Sequence, residues 1–116
     1  DVGPQLPFAV TTMWELVEQG HKLILWTMRS GKELQDAVDW FAANKIQLFG
    51  IQRNPDQDSW TSSPKAYAQV YIDDAAFGAP LVQRAWMHRP GVDWEAVRAK
   101  LAHPAYEDGL APAVQP

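Results

Sequence analysis

Two adjacent carboxylates, Asp73 and Asp74, follow an apolar run at residues 70–72. Open α/β sheets bind their ligands outside the carboxyl ends of the strands, which is where acids in this position would lie. Carboxylate oxygens suit Mg²⁺. An ordinary solvated turn or a cap also explains such a pair. Because side chains alternate along a strand, we expect Asp73 to be the nearer metal ligand and Asp74 to orient it or bind through water.

Thr27 and Arg29 follow a second apolar run, at residues 23–26, in the order T-M-R-S-G. A hydroxyl beside the N–H groups of a helix start can bind a phosphoryl oxygen, and Arg29 can bind the same substrate. The alternative is a plain loop with a surface arginine. Lys65 precedes the acidic pair, and its cation could neutralise charge that develops during phosphoryl transfer. A lone lysine, however, is usually just solvated.

The elements that must position these residues follow from periodicity. Apolar residues at helical spacing predict a helix over residues 7–19, ended by Gly20. The run at residues 23–26 lacks alternation and is typical of a strand buried on both faces. Ser30 and Glu33 have capping-box spacing and predict a second helix, which ends near residue 44.

Further along the chain, residues 47–51 and 69–73 predict a second and a third strand. Residues 81–87 leave an edge strand and an irregular segment equally open. Asp93 is predicted to cap a last helix, which runs through Leu101. Helices that alternate with strands over short connections are typical of an α/β sandwich.

The polar loop at residues 52–64 is long for a compact domain, and such loops are often functional. Asn54 and Trp60 could contact a substrate there, and anchoring of the loop is an equal alternative. The other tryptophans on apolar faces, Trp14, Trp26 and Trp40, are predicted to pack in the core.

Composition limits the classes of function. The 116 residues are 47% hydrophobic and 21% charged, with a net charge of −4. The negative net charge and the lack of a long basic run argue against nucleic acid as the default partner, since binding of a phosphate backbone normally needs a basic face. A small phosphorylated substrate needs only local cations. Without cysteine there is no disulfide framework. No leader or membrane-length apolar run is visible, so we expect a cytoplasmic protein with no membrane partner. The chain opens with Asp1 rather than Met, as a fragment or processed chain would.

Three segments together resemble the haloacid dehalogenase (HAD) superfamily, specifically its small bacterial and phage hydrolases with little or no cap. They are L-I-L-W-T-M-R, S-P-K-A-Y-A-Q-V-Y-I-D-D-A-A-F-G and G-V-D-W-E-A-V, within residues 2–101. The resemblance implies a HAD-like (Rossmann-like) three-layer α/β/α sandwich with a mostly parallel sheet. It also implies a Mg²⁺-dependent phosphatase of a small phosphorylated metabolite or nucleotide.

The resemblance assigns roles by position. Thr27 matches the hydroxyl that holds the phosphoryl group, Lys65 the cation that stabilises nucleophile and phosphate, and Asp73 with Asp74 the acids that hold Mg²⁺. The family's first motif, an apolar strand that ends in D-x-D-G and supplies the nucleophile, has no match here. Asp1 does not replace it. Because an aspartyl-phosphate requires that carboxylate, we expect the 116-residue chain to be inactive by itself and its parent protein to be a phosphohydrolase.

The same comparison predicts a HAD-like core over residues 1–103, lacking its first strand, and an Ala/Pro-rich tail over residues 104–116. The missing strand would lie between the strands that end at Thr27 and Asp73, so its loss predicts poor folding or a homodimer. Two alternatives remain open. One is a degenerate, non-catalytic HAD-like module that binds a partner or stabilises an assembly. The weaker one is a receiver domain, in which the acids and the lysine come in the reverse order.

Overall fold

The chain alternates short helices and strands in the computed structural model, which describes residues 6–102 and the backbone strand at Ala113–Val114. In chain order the helices and strands of this part are α1 (Ala9–Glu18), β1 (Lys22–Leu25), α2 (Gly31–Ala43), β2 (Gly50–Ile51), β3 (Leu81–Val82), β4 (Gly91–Val92), α3 (Trp94–Leu101) and β5 (Ala113–Val114). A single 3₁₀ turn, Gln57–Ser59, lies in the long loop after β2.

The helices lie where the periodicity predicts them. Gly20, with φ of 94°, follows α1 in the left-handed conformation that ends helices. Asp93 caps α3, because its side chain accepts a hydrogen bond from the Ala96 N–H at 3.1 Å. Helix α1 packs on α3, and the Thr12 hydroxyl donates to the Trp94 carbonyl at 3.3 Å.

The predicted capping box of α2 is wrong. Ser30 occupies the N-cap position but its side chain makes no capping hydrogen bond. The next residue, Gly31, has φ of 52°. The chain therefore enters the helix through a left-handed backbone, which differs from the entry that a capping box requires.

Strand β1 is the centre of a parallel sheet with the order β2-β1-β5. Ile24 pairs with Gly50 on one side, and Lys22 pairs with Ala113 on the other. The predicted third strand at residues 69–73 is wrong, since these residues belong to no strand. Strand formation depends on pairing with the rest of the sheet, which the composition of a single segment does not decide.

The second sheet is an antiparallel pair of β3 and β4, in which Leu81 faces Val92. Of the two alternatives for residues 81–87, an edge strand is present, but only at Leu81–Val82. Residues 83–90 connect this hairpin.

The core lies between the helices and β1. Its fully buried apolar side chains are Ala9, Met13, Leu16, Leu23, Leu25, Ala37, Phe41, Ile46, Ile72, Val92, Trp94, Val97 and Leu101. Trp40 packs against this cluster, as predicted. The prediction is wrong for Trp14 and Trp26, which are 44% and 38% exposed, and the core tryptophan is Trp94.

The described part is thus a mixed α/β fold with one small parallel and one small antiparallel sheet. Of the predicted tail, Ala113–Val114 forms β5 beside β1, and the rest lies outside the described residues, as does Asp1. Within the described part, every helix is too short or too polar to cross a membrane.

Candidate functional site

A cavity of about 520 Å³ collects most of the residues that the sequence singles out. The loop after β1, the residues that follow the segment 69–72 and the β3–β4 connection each contribute to its wall. The lining residues are Trp26, Thr27, Met28, Arg29, Asp73, Asp74 and Arg89. Four of the six predicted site residues therefore meet in one cavity.

The side-chain amide of Gln52 forms hydrogen bonds with both the backbone N–H and the backbone carbonyl of Thr27. The Thr27 N–H donates to the Gln52 Oε1 at 2.9 Å, and the Gln52 amide donates to the Thr27 carbonyl at 2.6 Å. The Thr27 hydroxyl oxygen accepts from the Arg29 N–H at 3.2 Å. Because the oxygen acts as acceptor, the hydroxyl proton is still available to donate to a ligand oxygen.

Asp73 and Asp74 are both partly buried. One Asp73 oxygen accepts from the Ala75 N–H at 2.9 Å, which fixes that carboxylate as part of the turn. Among the described residues, neither acid forms an ion pair with Arg29 or Arg89. Both carboxylates therefore keep oxygens that a cation can bind.

Two carboxylates suit Mg²⁺, which commonly binds through one or two acids, several waters and substrate phosphates. No cluster of three or more His, Cys, Asp or Glu side chains with metal-binding geometry occurs within residues 6–102. The described donor set thus fits a metal shared with a ligand better than a cage made by protein side chains alone.

Lys65 does not line the cavity, although it is linked to its wall. Its ammonium lies 5.3 Å from the ring centroid of Tyr71. The Tyr71 ring in turn lies 5.3 Å from that of Trp26, which lines the cavity. Lys65 is therefore linked to the cavity wall through the Tyr71 ring.

Gln57 organises the loop that carries Lys65. Its side chain is 1% exposed and uses both ends of its amide. It donates to the carbonyls of Ser63 and Lys65 at 3.2 and 2.9 Å, and it accepts from the Tyr67 and Asn54 N–H groups at 2.9 and 3.3 Å. A buried amide with this set of partners fixes the path of the loop.

Asn54 lies in a different cavity, of about 190 Å³, together with Trp60 and Lys22. Lys22 begins β1 and Thr27 follows its end, so the two cavities lie toward opposite ends of that strand. The Asn54 side chain donates to the Tyr67 carbonyl at 3.1 Å and accepts from the Asp56 N–H at 2.9 Å. These contacts give Asn54 a role in holding the loop, which is the alternative that the sequence left open.

Sequence reasoning missed Arg89, Gln52 and Gln57. Arg89 lies in an irregular connection, where periodicity carries no signal. Gln52 has φ of 64°, a conformation that its residue type does not predict. Gln57 is one polar residue among many in a polar loop, and only its burial distinguishes it.

The chain is similar to the solved structure of a conserved protein coded by a locus of Bacteroides thetaiotaomicron. The TM-score is 0.68, the sequence identity is 28%, and the match covers 86% of this chain and 74% of that one. No protein-family model matches the chain, and no curated protein matches it. The similarity supports the α/β fold and names no reaction.

Proposed function

We propose that this chain is the HAD-like core of a Mg²⁺-dependent phosphohydrolase that acts on a small phosphorylated metabolite or nucleotide. The observation that carries the proposal is the convergence of Thr27, Arg29, Asp73 and Asp74 on one cavity. These residues come from two separate stretches of the chain. A hydroxyl, a guanidinium and two acids are the groups that binding of a phosphoryl group with a divalent cation requires.

Each side chain has a definite task in this proposal. Asp73 and Asp74 would hold Mg²⁺, which supplies positive charge to the phosphoryl oxygens when it is bound. The Thr27 hydroxyl, positioned by Gln52, donates to a phosphoryl oxygen. Arg29 binds the same anion through its guanidinium.

Lys65 has an electrostatic task in the proposed site. Its ammonium lies near the Tyr71 ring, which contacts the Trp26 ring in the cavity wall. From there it can contribute positive potential to the cavity, although it does not line it. The mostly parallel three-layer sandwich of the HAD superfamily is part of the same proposal, and the parallel order of β2, β1 and β5 agrees with it.

A second candidate function is a non-catalytic module that binds a phosphorylated ligand or partner. It is favoured by the donor set, because the acids among the described lining residues are the adjacent pair Asp73 and Asp74. Covalent phosphoryl transfer needs a separate carboxylate nucleophile. Both candidates use the same cavity and differ in whether turnover occurs.

Hydrolysis of a general phosphate ester, with and without Mg²⁺, separates the two candidates. The assay compares the 116-residue chain with the same chain preceded by an apolar strand that ends in D-x-D. We expect Mg²⁺-dependent turnover from the extended chain only, lost in Asp74→Asn and retained in Asp56→Asn, whose carboxylate lines the other cavity. An extended chain that turns over no member of a broad phosphate panel would leave the binding module as the better account.

A further inference from the structure

Arg89 reaches the candidate cavity from a different element than the other charged residues. Arg29 follows β1, and the acidic pair follows the segment at residues 69–72, whereas Arg89 lies in the connection between β3 and β4. Arg89 therefore belongs to a third segment of the chain that lines the cavity.

The base of this connection is tightly packed. A Cβ atom added at Gly91 would lie 2.8 Å from the Leu6 Cδ2 and 2.9 Å from the Met87 Cε, closer than real side chains approach. The Asp93 N–H donates to the Pro80 carbonyl at 2.9 Å, which closes the hairpin. Pro90 fixes its own φ beside Arg89. These contacts anchor the two ends of the connection that carries Arg89, and an anchored segment loses less conformational freedom when a ligand binds.

Arg89 has no ion-pair partner within the described residues. Its side chain is exposed, and within residues 6–102 it makes no hydrogen bond or ion pair with another side chain. The Arg29 guanidinium makes a long contact, 3.4 Å, with the Glu33 carbonyl. The cavity therefore presents two acids and two guanidinium groups that do not neutralise one another.

The cavity is also larger than one phosphoryl group requires. Cavities that enclose whole small-molecule ligands commonly measure about 300–1,000 Å³, and this one measures about 520 Å³. A phosphoryl group bound by Thr27 and Arg29 would leave room for the rest of the substrate beside Arg89. Guanidinium groups favour carboxylates and phosphates, which they bind through two parallel hydrogen bonds.

We propose that Arg89 binds a second anionic group, so that the ligands of this cavity are phosphorylated compounds that also carry a carboxylate or a further phosphate. The proposal rests on the proposed function, because it takes the first anion to be the phosphoryl group near Thr27. It makes Arg89 a specificity residue for the substrate class.

Three ligands that cannot be hydrolysed test this assignment by calorimetry at saturating Mg²⁺. Ethylphosphonate carries one anionic group, 3-phosphonopropionate adds a carboxylate, and ethylene-1,2-diphosphonate adds a second phosphonate. We expect the 116-residue chain to bind at least one of the two larger ligands about tenfold or more tightly than ethylphosphonate, as a charge-assisted hydrogen-bond pair would produce. Which of the two is preferred identifies the second anion.

Arg89→Ala should remove this preference, because it should weaken binding of the two larger ligands more than binding of ethylphosphonate, and Arg89→Lys should retain part of the preference. Arg84→Ala is the matched control, because Arg84 lies in the same connection and does not line the cavity; it should behave as the unchanged chain. A preference that survives in Arg89→Ala, or a chain that binds ethylphosphonate without any preference, overturns the role of Arg89 and leaves the proposed function standing. If the chain binds none of the three ligands in the presence of Mg²⁺, both the proposed function and this inference are overturned.

Discussion

His21 is a buried polar residue at the start of β1. Its side chain is 6% exposed, and its Nδ1 atom has no hydrogen-bond partner among the described residues. Burial disfavours the charged imidazolium and lowers the pKa of His21 below its ordinary value of 6.5. The folded protein therefore favours the neutral imidazole of His21, because protonation would bury a charge.

This burial predicts an acid-sensitive contribution to stability. The unfolded chain takes up the His21 proton near its ordinary pKa, whereas the folded chain takes it up only at lower pH. The contribution of His21 is thus fully present above that ordinary value and is lost as the pH falls through it toward the lowered pKa. We expect urea unfolding at about pH 7 and about pH 5 to show a smaller loss of unfolding free energy in His21→Leu than in the unchanged chain.

His88→Leu provides the control, since His88 is exposed whereas His21 is buried. It should leave the pH dependence of the unfolding free energy as it is. Equal pH dependence in the unchanged chain and in His21→Leu would show that His21 titrates alike in the folded and unfolded states.

Residue types alone predicted part of the lining of the candidate cavity. Thr27, Asp73 and Asp74 could be found because each follows an apolar run, and the ends of such runs are natural ligand positions. Arg89 could not be found in this way, because its place in the cavity depends on how the β3–β4 hairpin packs. For Asn54 the sequence left substrate contact and loop anchoring equally open, and its hydrogen bonds to Tyr67 and Asp56 agree with the second alternative.

At the scale of single elements, the helices depend mostly on local signals. Periodic apolar faces and stop residues were sufficient to predict α1, α2 and α3 within a few residues. The segment at residues 69–73 has the composition of a strand, but strand pairing is decided by the rest of the sheet. No local pattern reveals that β1 pairs with β2 on one side and with Ala113–Val114 on the other.

The two helix caps give a matched test at this scale. Asp93 makes its capping bond to the Ala96 N–H, whereas Ser30 makes none. Asp93→Ala should therefore lower the unfolding free energy by about 1 kcal/mol, while Ser30→Ala should change it by less than about 0.5 kcal/mol. Urea denaturation of both variants measures the difference. A loss in Ser30→Ala as large as that in Asp93→Ala would mean that the capping box predicted from the sequence forms in solution.

At the scale of the whole molecule, the parallel sheet and the connections around it bring distant stretches to one cavity. The loop after β1 supplies Thr27 and Arg29, and the chain returns after a long loop to supply Asp73 and Asp74. The mixed α/β class was predictable from the alternation of helical and strand patterns. The number of strands and their order were not, because they depend on contacts between residues far apart in the chain.

The most direct test of the proposed site is the binding of inorganic phosphate to the 116-residue chain, measured by calorimetry with and without Mg²⁺. If Asp73 and Asp74 hold the cation that phosphate shares with Thr27 and Arg29, phosphate should bind measurably only when Mg²⁺ is present. Asp73→Asn combined with Asp74→Asn should abolish that binding, and Asp56→Asn should preserve it. Phosphate affinity that is independent of Mg²⁺, or that survives loss of both acids, would contradict the assignment of this cavity as a Mg²⁺ and phosphoryl site.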